Sequence, residues 1–453
     1  VATGDNLRPA IQACSAAVLP RKAAVSTYGR RTASTTTGAD VSRPALTLRL
    51  LGAPLLAGLA ALVTSTPAYA ASTPQQEAAA FAKALSSTSA TVTAGVVDDS
   101  GVTLASVSAS TSLPPASTEK IATVGAALTV FGSTHRFTTA LQGTRPLPQS
   151  ALWQGLTQGA YGGALVVVGG GDPSLGAAGV TSLLTPLQHA GIKSVRGGLW
   201  LDVSLFDSVR TAPGWKAEWL GTEVGPLSAF MYGKNLTRSD SAYLDDPDSG
   251  NVAILGDWLK AHGITVYGGL HVGRPTGVLR TLATVESDPL STLGATTLRD
   301  SVNTYAEVLL KDVGASDGEG STRHGLQVVR SLVAVAGGDL GVAYDGSGLS
   351  QLDSKNATQE LSTTRGLGSS DVGPTLLAEL PTSCTNGTLK KRLCNLTGRV
   401  HAKTGTVTQV SALTGYLIDS TGQRLWFSVQ VRGNLSVTTR QALIDRAVTA
   451  LAG

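Results

Sequence analysis

Leu113-Pro114-Pro115-Ala116-Ser117-Thr118-Glu119-Lys120 sets two prolines and an alanine directly before a serine and a lysine three positions apart. The prolines end any extended segment ahead of them, because proline fixes φ and offers no N–H to a neighbouring strand. Residues 117–131 then suit a helix, closed by Gly132. Residues three apart share a helix face, so the Lys120 amine can reach the Ser117 hydroxyl. A serine hydroxyl must lose its proton as it attacks, and a lysine can take that proton if burial or a second cation depresses its pKa. The helix N-terminus adds a positive field where negative charge develops. Alone, S-x-x-K is a weak signal, since roughly one is expected by chance in such a chain. It then describes an ordinary exposed helix pair.

Upstream, residues 75–85 are alanine-rich and predict a first helix. The β-branched runs 93–99 and 102–109 predict a hairpin around Ser100-Gly101. Beyond about residue 138 the texture changes to short apolar runs, 164–168, 198–203, 252–259 and 268–272, separated by Gly and Pro. These predict an inserted, strand-rich region. Helical patterns return from about Ser287, at 304–313 and 325–335, and the chain closes with three strand-like runs, 399–410, 412–419 and 425–432, and a helix over 438–451. The expected fold is α/β of the α+β type. An antiparallel sheet with flanking helices is built from residues 71–138 and 287–453, and 139–286 form one or two inserted domains.

The chain has 453 residues, 42% of them hydrophobic, enough to bury a sizeable core in two or three domains. Its formal charge of +4 comes from the front: seven basic and two acidic residues precede residue 71, leaving 28 basic and 29 acidic after it. With no basic run in that part, no nucleic-acid partner is expected. Residues 41–70 have a basic start (Arg43, Arg49), an apolar stretch over 50–63 and an Ala68-Tyr69-Ala70 end. That is the layout of a secretory signal peptide, too short to be a comfortable membrane span, so an exported protein without a stable transmembrane span in its mature form is expected. Residues 1–40 precede this signal, begin with Val and contain no Met, the sole one being Met231. They are expected to be a non-native leader from an over-extended gene start, with the true start near Val41.

Of three cysteines, Cys14 lies in that leader, leaving Cys384 and Cys394. Export permits oxidation, and a separation of ten residues is closable, so a disulfide is expected, with two free buried thiols as the alternative. There is no CxxC, no HExxH and no His/Cys cluster, so no metal and no cofactor is expected. N-x-T triplets at Asn235, Asn356, Asn386 and Asn395 are taken as chance.

Two later elements change the weight of S-x-x-K. Ser301-Val302-Asn303 precedes a helical pattern, and His401-Ala402-Lys403-Thr404-Gly405-Thr406 lies in an alternating strand. S-x-x-K, S-D-N and K-T-G in this order mark penicillin-binding proteins and class A β-lactamases. The wider chain resembles the D-alanyl-D-alanine carboxypeptidases/endopeptidases of the penicillin-binding protein 4 type, serine peptidase family S13. Besides the three motifs, the resemblance is carried by Gly169-Gly170-Gly171-Asp172-Pro173, Asp202-Val203-Ser204-Leu205-Phe206-Asp207, residues 301–307, Asp345-Gly346-Ser347-Gly348-Leu349-Ser350 and Gly387-Thr388-Leu389, spanning nearly all of residues 90–432. The 184 residues between Ser117 and Ser301 leave room for the insertion, which a simple β-lactamase lacks.

The resemblance implies that Ser117 attacks the carbonyl between the last two D-alanines of a peptidoglycan stem peptide while Lys120 accepts its proton. Ser301 would relay a proton to the leaving amine, and Asn303 would hold Lys120 and the substrate amide. Lys403 and Thr404 would bind the terminal carboxylate, Lys403 also helping to keep Lys120 neutral. The N–H groups of Ser117 and Thr406 would form the oxyanion hole, with Gly405 between. β-Lactams would acylate Ser117 covalently. The chain departs from the pattern at Val302, where Asp is common, and at Gln351, where a basic residue is expected; the second bears on side-chain recognition more than on catalysis.

Other readings fare worse. A Rossmann site at 164–174 lacks the third glycine of its motif and shows no convincing helix or ribose-binding acid after it. A Ser-His-Asp hydrolase needs a G-x-S-x-G elbow, which Gly346-Ser347-Gly348 is not, so His135 and His401 are read as structural. A serine β-lactamase would need a placed Glu for deacylation, and no Glu-x-x-x-Asn stretch stands in the expected interval. A non-catalytic wall-binding protein would not be expected to keep all six motif residues.

Overall fold

The computed structural model describes residues 72–86, 88–145, 159–236 and 243–453. The expected leader, the signal segment and Cys14 lie outside the described residues.

Helix α1 (Pro74–Leu85) starts on a proline and is closed by a capping box in which Thr73 and Gln76 bond each other's backbone. Strands β1 (Thr91–Asp98) and β2 (Thr103–Val107) form the expected hairpin. Asp98 holds its turn by accepting from the Ser100 hydroxyl at 2.6 Å and the Val102 N–H at 2.9 Å. The helix expected from residue 117 begins instead as a 3-10 turn, Ala116–Glu119, and α2 proper is Lys120–Phe131.

The insertion holds β3 (Thr138–Gly143), β4 (Ala160–Tyr161), β5 (Leu165–Val168), α3 (Ala177–His189), β6 (Ser194–Val195), β7 (Leu199–Asp202), α4 (Pro247–Ala261), β8 (Thr265–Val266), β9 (Leu270–Val272) and β10 (Arg280–Glu286). One five-stranded sheet runs β10-β3-β5-β7-β9 and a three-stranded one runs β4-β6-β8. Two expectations are corrected here. Residues 252–259, grouped with the strand-like runs, lie within α4, and a helix does follow Gly169-Gly170-Gly171, namely α3. Both helices bury a leucine face, Leu183, Leu184, Leu187, Leu255 and Leu259, against Leu165, Val167 and Leu201. The glycine run is still a packing turn: a Cβ on Gly170 would stand 1.8 Å from the Thr138 carbonyl oxygen.

The rest of the chain supplies α5 (Leu290–Arg299), α6 (Asn303–Ser316), α7 (Thr322–Val335), α8 (Ala357–Gly368), α9 (Gly373–Ala378), β11 (Val400–Val407), β12 (Val410–Ile418), β13 (Arg424–Arg432) and α10 (Val437–Ala450). The second five-stranded sheet is antiparallel throughout, in the order β11-β12-β13-β1-β2. Strand alternation splits its two faces. Leu425 and Phe427 join Phe81 of α1 and Ile444 and Val448 of α10, while Trp426 between them turns to Ile121, Leu361 and Leu367 on the other side. No described helix is long and apolar enough to cross a membrane. Cys384 and Cys394 are joined as a disulfide, with Cα atoms 4.7 Å apart.

Candidate active site

The turn ahead of Ser117 explains how the hydroxyl is presented. Ala116 has φ of +53°, left-handed backbone that costs an L-residue on the order of 1–2 kcal/mol. Its neighbour in space is Gly348, where a Cβ would come within 1.8 Å of the Ala116 carbonyl oxygen. Glycine at 348 therefore lets the 345–350 loop lie flat against the nucleophile's turn. Gly405 does the same for β11, since a Cβ there would meet the Pro115 carbonyl oxygen at 2.8 Å. Buried under the turn, Glu119 pairs with Lys355 at 2.6 Å and Thr118 donates to Glu360 at 2.9 Å.

Lys120 is fully buried, and its Nζ has three acceptors: Ser117 Oγ at 2.9 Å, Asn303 Oδ1 at 2.7 Å and the Ser347 carbonyl at 2.7 Å. Burial lowers its pKa to about 8, against the opposing pull of the carboxylates of Asp345, Glu307, Glu223 and Glu119. Asn303, the first residue of α6, is oriented in turn by donating its amide N–H to the Glu223 carbonyl at 3.0 Å. Ser301, two residues earlier, also has left-handed backbone, φ +60°. Its hydroxyl accepts from Lys403 Nζ at 2.8 Å, and Lys403 makes a second bond, 2.9 Å, to the Thr404 carbonyl.

Lys403 is buried as completely as Lys120, and its pKa lies well below the ordinary lysine value through burial first and the nearby Lys120 charge second. Loss of water is the largest cause at both lysines, and the repulsion between the two amines adds to it at Lys403, which has no carboxylate among its hydrogen-bond partners.

Above the two lysines opens a cleft of about 520 Å³ that Ser117, Ser301, Asn303, Thr404 and Thr406 line. Thr404 donates to Thr388 at 2.8 Å, which ties β11 to the loop that the disulfide closes. Trp219 and Glu223, from the insertion, form part of the wall. Gln351 donates to Thr408, which lines the cleft, at 2.9 Å. The structure thus gathers Ser117, Lys120, Ser301, Asn303, Lys403, Thr404, Gly405 and Thr406 into one place. The histidines stay apart: His135 stacks on Phe131 and His401 on Tyr416, each at 4.8 Å, and neither lines the cleft. Among the described residues no group of three or more His, Cys, Asp or Glu is arranged to hold a metal ion.

Sequence reasoning missed the groups that hold these in place. Asp345 is buried and accepts from the N–H groups of Gly348 and Ser350 and from Trp215 Nε1, each at 2.7 Å. It thereby fastens the 345–350 loop to the insertion. The only hint in the sequence was the loop's place among the stretches of family resemblance.

Residues 76–238 and 233–452 match the model of the D-Ala-D-Ala carboxypeptidase 3 (S13) family. The chain is 27% identical over 410 residues to a D-alanyl-D-alanine carboxypeptidase of Actinomadura sp., covering 71% of this chain and 74% of the relative. It is 27% identical over 391 residues to Carboxypeptidase DacB of Mycolicibacterium smegmatis, covering 78% of each. Among solved structures, penicillin-binding protein 4 of Haemophilus influenzae shares the fold, with a TM-score of 0.72 at 21% identity over 82% of this chain and 98% of that one. That protein has also been solved in complex with a β-lactam. A cleft serine bonded to a buried lysine beside a second serine–lysine pair, in a chain matched over most of its length, places this protein in the D-Ala-D-Ala carboxypeptidase 3 (S13) family of serine peptidases.

Proposed function

We propose that this enzyme, a serine-type D-Ala-D-Ala carboxypeptidase/endopeptidase, uses Ser117 as its nucleophile on peptidoglycan stem peptides, and that β-lactams inhibit it by acylating the same hydroxyl. The observation that carries this reading is the 2.9 Å bond between Ser117 Oγ and a buried Lys120 amine whose pKa burial has brought down to about 8. Neutral Lys120 takes the Ser117 proton as Oγ attacks the carbonyl carbon. The N–H groups of Ser117 and Thr406 receive the oxyanion. Ser301, held by Lys403, passes a proton to the departing amine. Asn303, fixed through Glu223, keeps Lys120 in line and meets the substrate amide.

Thr404 and Thr406 offer hydroxyls at the cleft surface, and Lys403 lies beneath them. A substrate carboxylate arriving there raises the Lys403 pKa, so the lysine gains its proton as the substrate binds. Water then releases the acyl group. Residues 71–138 and 287–453 are assigned to the catalytic domain and 139–286 to the insertion. Export through the 41–70 signal places the activity on the wall side of a bacterial membrane.

Mass spectrometry after penicillin treatment, with peptide mapping, tests the assignment. A stoichiometric adduct on Ser117, absent from Ser117→Ala, is expected. An adduct that survives the substitution, or rapid continuous hydrolysis of a chromogenic cephalosporin, overturns it.

A further inference from the structure

We propose that Glu307 is a positioning residue for Lys120: its carboxyl grips the backbone that presents the Ser347 carbonyl to the amine, and its charge acts on that amine through space. The inference rests on the assignment of Lys120 as the base.

Glu307 lies one helical turn after Asn303 on α6, so both side chains leave the same face of that helix. It is fully buried, and its Oε1 accepts the N–H of Gly346 at 3.1 Å and that of Ser347 at 2.8 Å. From the other side, Thr123 of α2 donates to the Gly346 carbonyl at 2.7 Å. A Cβ on Gly346 would press on Leu310 at 3.0 Å and on Thr123 Oγ1 at 3.1 Å, so the loop is clamped between α6 and α2. The Ser347 carbonyl, which accepts from Lys120, is the next group along this clamped backbone.

The charged groups around Glu307 are Asp345 in the loop, Lys120 on α2 and Lys311 on its own helix. Burial, with Asp345 adding to it, raises the Glu307 pKa to about 8, close to the depressed value of Lys120. The carboxyl makes no hydrogen bond to the amine, whose three partners are Ser117, Asn303 and the Ser347 carbonyl, so its charge acts on Lys120 through space and favours the ammonium form. With two N–H donors on Oε1, a proton taken up by this carboxyl belongs on Oε2, which has no hydrogen-bond partner among the described residues.

The test is the pH dependence of acylation by a fluorescent penicillin, measured on wild type, Glu307→Gln and Glu307→Ala, with thermal unfolding of each. Gln keeps the acceptor for both N–H groups and removes the carboxylate charge. Its plateau rate is expected within about threefold of wild type, while its acid limb moves to lower pH by roughly one unit, because no carboxylate remains to favour the ammonium form. Ala releases the loop and is expected to lose at least about thirtyfold in rate at every pH. A Glu307→Gln limb that superimposes on wild type, or an Ala variant as fast as the Gln variant, overturns the proposal. If the Ala variant fails to fold, the position of the Gln limb alone decides. Loss of acylation in Lys120→Met alongside an unmoved Glu307→Gln limb would refute only this inference, whereas wild-type acylation by Lys120→Met would refute the base assignment itself.

Discussion

Around the antiparallel sheet built from both ends of the chain, Lys120, Lys355, Lys403, Glu119, Glu307 and Glu360 are all buried. Between the inserted sheet and its two helices the core is apolar, mostly leucine, valine and isoleucine with Tyr161 and Phe230, and the buried acids Asp202 and Asp248 each pair with an arginine, Arg274 and Arg210, that is partly exposed. The two regions divide the work accordingly. Buried charge costs folding free energy unless each group is paired or neutralised, so it persists where polarised groups serve chemistry. The insertion, built on apolar packing, reaches the cleft through the Glu223 backbone and the walls that Trp219 and Glu223 provide.

Three substitutions would break or sharpen that contrast. Lys120→Met removes the base and should lower the acylation rate by about 10³–10⁴-fold. In the wild type, the neutral amine predominates only above about pH 8, so acylation should climb with pH through that value. A rate that is flat from pH 6 to 10 would mean that the amine is not the titrating group. Glu119→Gln takes from buried Lys355 its ion-pair partner, leaving Glu360 and Asp353 near it, and should cost about 3–5 kcal/mol, read as a fall in the urea midpoint. No loss of stability would mean that the buried charges beneath the nucleophile are energetically idle. Trp219→Ala, in the insertion, should raise KM for a stem peptide by about tenfold with kcat held, the mark of lost binding that is equal in ground and transition states. A kcat that falls as far as kcat/KM would bring the insertion into the chemistry and erase the distinction.

The residues that meet in the cleft were legible in the sequence because the proposed chemistry constrains both residue type and spacing: Ser117 with Lys120, Ser301 with Asn303, Lys403 with Thr404. What orients them was not. Asn303 is held by the backbone of residue 223, a contact that any side chain there would allow. Lys355 meets Glu119 across 236 positions, and no local pattern announces such a pair. The sequence leaves open whether burial or a second cation depresses Lys120, because burial depth cannot be read from a motif. The strands of the end-built sheet came through in the residue pattern since alternation is local. Helix α3 hid behind an internal proline, Pro186, and α4 behind a run of apolar residues too short to show its period.

β1 lies between β2 and β13 in the catalytic sheet, with Thr91 opposite Arg432. β1 comes early in the sequence, whereas β13, its partner on one side, and β11, which carries Lys403, come near its end. A chain that stops short of residue 400 therefore holds Ser117 without the strand that carries Lys403, and β1 without one of its two neighbours.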